Sequence, residues 1–232
     1  NSQKVHLSWL MRGSKAAYLA EVDASTGATR IVARDTGKTY VEISNPQDPG
    51  SFYVTKDLKD AFWWSERDGW GHLYRFDGAG VANVAASDGD GGMSLAPEPK
   101  AQLTSGPWQV GQISYVDETA KQVYFTGRGR DGFLYYPKLY RTGYDGVGLT
   151  LLTPEDGHHI INFSPSGKYF VDTYSRVENA PVTVLRSAAT GAVVRKLEEG
   201  DVSRLKGIGW RPAQVFSVKA RDGVTDIYGL QA

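Results

Sequence analysis

Leu73-Tyr74-Arg75-Phe76-Asp77-Gly78 returns later in the chain as Leu139-Tyr140-Arg141, followed after two residues by Tyr144-Asp145-Gly146. In both copies a short run of alternating apolar and polar residues leads into Asp-Gly, which marks a strand entering a tight turn. Each copy is followed by a strand that ends in Leu-Thr, at Leu103-Thr104 and Leu152-Thr153, with Pro107 and Pro154 close behind. Repetition of this kind means that one supersecondary unit is used more than once.

Period-two runs separated by Gly, Asp, Ser or Pro extend the unit in both directions. Residues 5–10, 16–22, 29–33 and 40–43 form a first set of four strands. A second set is 51–55, 61–65, 72–76 and 101–103, interrupted by an insertion over 78–100 that reads as a loop. The third is 112–116, 122–126, 138–141 and 148–152; the fourth is 160–163, 169–174, 181–185 and 192–197. Second strands start near Ala16, Ala61, Gln122 and Tyr169, at intervals of 45, 61 and 47 residues. Taking a loop of roughly 20 residues out of the middle interval leaves the ~40–50-residue period of a propeller blade. The expectation is an all-β chain, a partial β-propeller of about four four-stranded blades at 1–45, 50–105, 108–153 and 158–200, filling residues 1–207. Residues 214–219 and 225–229 fall outside this rhythm and read as a separate hairpin within 208–232.

Composition agrees and excludes several functions. The 27 Gly, 13 Tyr, 8 Phe and 6 Trp suit pleated, half-buried surfaces joined by tight turns. Lys plus Arg and Asp plus Glu each number 26, so no net field draws the chain to nucleic acid or an anionic membrane. The absence of Cys removes disulfides, thiol nucleophiles and thiolate zinc sites, and fits periplasm or cell envelope as well as cytoplasm. No apolar run reaches the roughly 18 residues of a membrane-spanning helix. Asn1 opens without a charged n-region, so the chain is expected to begin inside a domain.

One segment carries a family signal. Phe62-Trp63-Trp64-Ser65-Glu66-Arg67-Asp68-Gly69-Trp70-Gly71-His72-Leu73-Tyr74 resembles a hairpin of the dipeptidyl-peptidase IV family's N-terminal region. Phe163-Ser164-Pro165-Ser166-Gly167-Lys168-Tyr169-Phe170 through Arg176 and Pro181 to Leu185 resembles that family's last blade. Residues 103–110 are similar to its blade junction, and 216–229 to its hairpin leading into an α/β-hydrolase domain. The resemblance implies a propeller that caps a Ser-Asp-His peptidase and screens peptide substrates. Its implied partners are a C-terminal α/β-hydrolase domain and further blades of the same parent chain. The family's amine-binding pair of glutamates has no counterpart here, since Glu198-Glu199 ends a blade strand and reads as solvated surface.

No residue is assigned as catalytic, cofactor-binding or metal-binding. There is no Gly-x-Ser-x-Gly elbow, and His6, His72, His158 and His159 read as turn or strand histidines. His158 and His159, as strand neighbours, point to opposite faces and do not share an ion. Asp88-Gly89-Asp90-Gly91-Gly92 lacks the calcium-loop spacing and reads as an acidic loop. Gly127-Arg128-Gly129-Arg130-Asp131-Gly132 mimics a dinucleotide fingerprint, but Phe133-Leu134-Tyr135-Tyr136-Pro137 opens no helix, so it reads as a hairpin loop. Gly37-Lys38-Thr39 lacks the first glycine of a phosphate loop, and Asn162-Phe163-Ser164 is a glycosylation sequon on a strand. Trp70, Trp108, Tyr135 and Tyr136 read as packing residues rather than as a substrate channel. The chain by itself is expected to be non-catalytic, and to self-associate through blade faces left uncovered. The alternative function is a stand-alone TolB-like propeller that binds proteins.

Overall fold

A computed structural model describes residues 3–43, 52–82 and 97–231. The acidic loop 88–92 and Asn1 lie outside the described residues, as does Ser51 at the start of its strand. The described chain folds as four four-stranded antiparallel sheets and one two-stranded hairpin, with a single short helix. This is a partial β-propeller.

The strands are β1 (Lys4–Leu10), β2 (Ala16–Asp23), β3 (Thr29–Thr36), β4 (Phe52–Val54), β5 (Asp60–Ser65), β6 (His72–Asp77), β7 (Val81–Ala82) and β8 (Ala101–Gln102). They continue as β9 (Gln109–Asp117), β10 (Gln122–Arg128), β11 (Lys138–Gly143), β12 (Thr150–Leu151), β13 (His158–Phe163), β14 (Tyr169–Arg176), β15 (Asn179–Ser187) and β16 (Val193–Glu199). Helix α1 (Ser203–Gly207) leads to β17 (Gln214–Lys219) and β18 (Asp226–Gln231). The last three large sheets are meanders, β4-β5-β6-β8, β9-β10-β11-β12 and β13-β14-β15-β16.

The first sheet corrects two expectations. Its order is β1-β2-β3-β7, and residues 40–43 form no strand. Instead Val41 tucks under the end of the sheet, its N–H donating to Ser14 O at 2.7 Å. The edge that 40–43 was expected to occupy is taken by Val81 and Ala82, paired with Ile31 and Arg30, from inside the stretch read as a loop. A strand of two residues has no periodicity of its own, so this pairing has no local signal.

Sheets pack face to face, and alternation along each strand sends neighbours to opposite partners. Along β5, Ala61 and Trp63 pack with Leu19, Val32 and Ala33 of the first sheet. Phe62 and Trp64 turn the other way, against Val116, Phe125 and Tyr140 of the third. That is why Phe62-Trp63-Trp64 is continuously apolar: this strand has no wet face. Along β10, Val123 and Phe125 face the second sheet, whereas Tyr124 faces Phe163 and Phe170 of the fourth.

The turn before β14 shows how tight this packing is. Gly167 has φ +67°, and a Cβ there would overlap the Tyr115 ring, itself stacked on Phe163 at 5.0 Å. Gly167→Ala is expected to cost about 1–3 kcal/mol from left-handed strain and overpacking. A denaturant midpoint unchanged from the parent chain would refute this.

Candidate functional site

The turns that follow β5, β10 and β14 expose Trp70, Leu134, Tyr135 and Val177. These turns lie at a common end of the propeller. Val110 N–H donates to Gly71 O at 2.8 Å, which ties the first turn to the start of β9, and His159 N–H donates to Pro137 O at 3.2 Å, which ties the second to β13. Gly69, at φ +96°, supplies the left-handed residue of the first turn, and Trp63 pairs with Tyr74 across it.

The C-terminal hairpin folds onto this end. Its turn is organised by Asp222, whose carboxylate accepts the Val224 and Thr225 N–H groups, each at 2.9 Å. Val215 is paired with Leu230 and Ser217 with Tyr228, so these four share one face. Tyr228 meets the 129–137 loop edge-on, its ring 4.8 Å from Phe133 and 6.0 Å from Tyr135. Phe133, Tyr135, Tyr136, Val177, Tyr228 and Leu230 enclose an almost wholly apolar cup of about 220 Å³. At its rim Arg176 lies 6.0 Å from the Tyr136 centroid and pairs with Asp156 at 2.7 Å and Glu178 at 3.0 Å. Hydrogen bonding from Arg176 holds Glu178 below the ordinary carboxylate range.

The opposite face of the hairpin is bare. Phe216 pairs with Gly229 and Val218 with Ile227, and Phe216, Val218 and Ile227 are 45%, 52% and 52% exposed. A Cβ on Gly229 would overlap the Phe216 ring, so the far end of the ring sits directly over the glycine. A two-stranded hairpin is marginal by itself, and one with apolar residues on both faces is built to be sandwiched.

Buried polar groups elsewhere hold the blades together. Asp172 accepts Arg186 Nε–H at 2.9 Å and faces His159 Nδ1 at 2.8 Å, while His159 Nε2 faces Glu155 O at 3.0 Å. Arg186 also donates to Gly191 O at 2.9 Å and contacts Glu155 Oε2 at 2.6 Å, an ion pair outside hydrogen-bonding geometry. Burial opposes ionisation of Glu155, but the charge of the adjacent Arg186 guanidinium holds its carboxyl below the usual range. His72 sits between Thr104 Oγ1 and Gly106 O, each at 3.0 Å, and locks the blade junction. Burial lowers His6 despite Glu21 nearby.

The structure separates the four aromatics that the sequence groups together. Trp108 is buried in the core, whereas Tyr135 and Tyr136 line the cup and Trp70 stands exposed. Gly127 and Arg128 end β10, and residues 129–137 are the loop into β11. Glu198 and Glu199 lie exposed on β16, and Asn162 of β13 pairs with Val171 of β14. His158 and His159 point to opposite faces of β13, one exposed and one buried. Among the described residues no three His, Asp or Glu side chains converge on a potential metal position, and no helix is long and apolar enough to cross a membrane. The cup itself was not foreseeable, because its two walls are distant in sequence and nothing local says that they meet.

A run of propeller blades ending in a docked, two-faced hairpin defines the class: a blade module with a contact surface at one end. Residues 1–181 match the family model described as the dipeptidyl peptidase IV (DPP IV) N-terminal region. The chain belongs to that family. Its fold is similar to the crystal structure of Porphyromonas gingivalis dipeptidyl peptidase 4, with a TM-score of 0.75, 19% identity and 99% of this chain covered. It is also similar to a putative dipeptidyl aminopeptidase IV from Bacteroides ovatus, with a TM-score of 0.73, 23% identity and 97% covered. The chain spans only 29% and 31% of those two proteins.

Proposed function

We propose that this chain is the non-catalytic propeller portion of a dipeptidyl-peptidase IV-like serine exopeptidase, which gates and scaffolds peptide access to a hydrolase domain. The observation that carries the reading is the hairpin, with one face seated on the blade loops and the other bare through Phe216, Val218 and Ile227. The hydrolase domain covers the bare face, and the propeller end becomes the roof under which peptide enters. Chemistry then comes from the hydrolase domain, because peptide hydrolysis of this type requires Ser, His, a carboxylate and an oxyanion hole held in one geometry.

In the parent enzyme, Phe216→Asp and Ile227→Asp are expected to lower kcat/KM for a dipeptidyl substrate on the order of 10- to 100-fold by misplacing the two domains. The 232-residue chain alone is expected to show no turnover and no labelling by serine-reactive phosphonates. Serine-dependent hydrolysis by the isolated chain that survives repurification would overturn the proposal. So would full activity in both hairpin variants.

A further inference from the structure

The first strands of the third and fourth sheets, β9 and β13, stand side by side, and a cavity of about 370 Å³ lies between them. It sits toward the common end described above, since Arg128 closes β10 and His158 opens β13. The ladder between β9 and β10 is broken at its wall. Tyr124 pairs with Tyr115, Phe125 with Ile113 and Gly127 with Val110. Ser114 is therefore one extra residue of β9, and Gly111 with Gln112 stand opposite Thr126 alone. All four line the cavity. A bulge bends its strand and re-aims side chains, and bulges are common beside functional sites. Gly111 is required by the packing, because a Cβ there would overlap Thr126 Oγ1. With glycine in place, Thr126 Oγ1 accepts the Gln112 N–H at 3.0 Å and its own hydroxyl can still donate.

The polar side chains around this space are donors. Arg128 and His158 are both exposed, Ser114 and Thr126 add hydroxyls, and no carboxylate lines the cavity. Carboxylates on the neighbouring elements are engaged with other cations: Asp131 with Arg130 at 3.4 Å, Asp156 with Arg176 at 2.7 Å, and Glu155 and Asp172 with Arg186 at 2.6 and 2.9 Å. Arg67, at the same end, has Asp35 at 3.3 Å. The Arg128 guanidinium, by contrast, meets no carboxylate among the described residues, and it borders a recess that is otherwise walled by Pro137, Ile160 and Ile161. Ile160 is 58% exposed there.

We infer that this cavity is a subsite for a peptide carboxylate, with Arg128 as its ion-pair partner and His158, Ser114 and Thr126 as flanking donors. A guanidinium presents parallel N–H groups that match the two oxygens of a carboxylate. One permanent cation balances one negative charge, which suits a carboxylate better than the roughly doubled charge of a phosphate monoester. The space is also far larger than a carboxylate alone, and its isoleucine wall has a use only if the anion is carried on a chain with apolar groups of its own. An acidic side chain and a C-terminal carboxyl group share this chemistry. The inference takes from the proposed function only that the ligand is a peptide. Arg128-dependent binding by this chain does not require a hydrolase domain, so the two readings fail separately.

The test is an NMR titration of the 232-residue chain with three N-acetylated pentapeptides of alanine around one central residue. The first has a central glutamate and an amidated C-terminus, the second a central glutamine and a free C-terminus, and the third a central glutamine and an amidated C-terminus. At least one carboxylate peptide should bind about tenfold more tightly than the neutral third, as a charge-assisted hydrogen-bonded pair allows. Which of the first two does so identifies the source of the carboxylate. Arg128→Gln should reduce that peptide to the affinity of the neutral one, whereas Arg30→Gln, which removes the same charge from the first sheet, should change nothing. Equal affinity for all three peptides, or no binding of any up to about 10 mM, overturns the inference. So does a folded Arg128→Gln chain that keeps the preference. Inorganic phosphate binding more tightly than both carboxylate peptides overturns the assignment to a carboxylate. An Arg128 Nε–H resonance unmoved by the preferred peptide overturns it too, even if the variant fails to fold.

Discussion

Asp172→Ala is expected to destabilise the chain by about 3–5 kcal/mol, the cost of removing one partner from a buried charge pair. Asp172, Arg186 and the His159 ring are all buried, and the carboxylate is where guanidinium and imidazole meet, at 2.9 and 2.8 Å. Without it the Arg186 guanidinium keeps Gly191 O and the partly exposed Glu155 but loses its fully buried counter-charge. For a domain of this size the change corresponds to a drop in Tm of roughly 10 °C. Pairing Asp172→Ala with Arg186→Met should recover part of the loss, because two apolar groups cost less than one orphaned charge. Thermal unfolding followed by circular dichroism checks both; a shift below about 1 kcal/mol for the single change would show the cluster to be dispensable.

Trp108→Ala should cost as much, about 3–5 kcal/mol, by a different route. The indole is 2% exposed and lies between the second and third sheets, its ring 5.3 Å from Tyr140, 5.8 Å from His72 and 6.3 Å from Phe125. Its Nε1–H donates to Ser105 O at 2.7 Å, and Arg130 covers the ring at 5.5 Å. Gly127 backs directly onto the indole and has no side chain with which to fill the space left behind. The cavity would therefore persist rather than collapse, which puts the cost at the upper end for an aromatic truncation. Equilibrium unfolding in urea measures the loss. A midpoint within error of the parent chain would mean that the two sheets close over the gap.

The hairpin after β5, the aromatic cup and the buried ion pair differ in how much of them was visible in the primary structure. Trp63, Trp64 and the Asp68-Gly69 turn are legible because a hairpin is local: register, aromatic pairs and positive φ all lie within a dozen residues. The aromatic cup is not legible, since Phe133 and Tyr228 meet only after the fourth blade and a helix have set the direction in which the hairpin falls. The buried Asp172 and Arg186 lie on adjacent strands, yet nothing in a strand's alternation says that an inward position holds a charge rather than an apolar residue.

The sequence by itself determined the all-β class, the blade rhythm, the family resemblance and the separate hairpin at the C-terminus. Each of these rests on periodicity or turn chemistry that operates over a few residues. Only the tertiary structure decided which strand closes the first sheet and which face of the hairpin is docked. Residues 40–43 have the alternation of a strand, yet β3 pairs instead with Val81 and Ala82, some fifty residues away. The physical reason is that a strand edge offers the same row of donors and acceptors to any extended partner. Local sequence makes a segment extended, and only the assembled blades determine which edge it reaches.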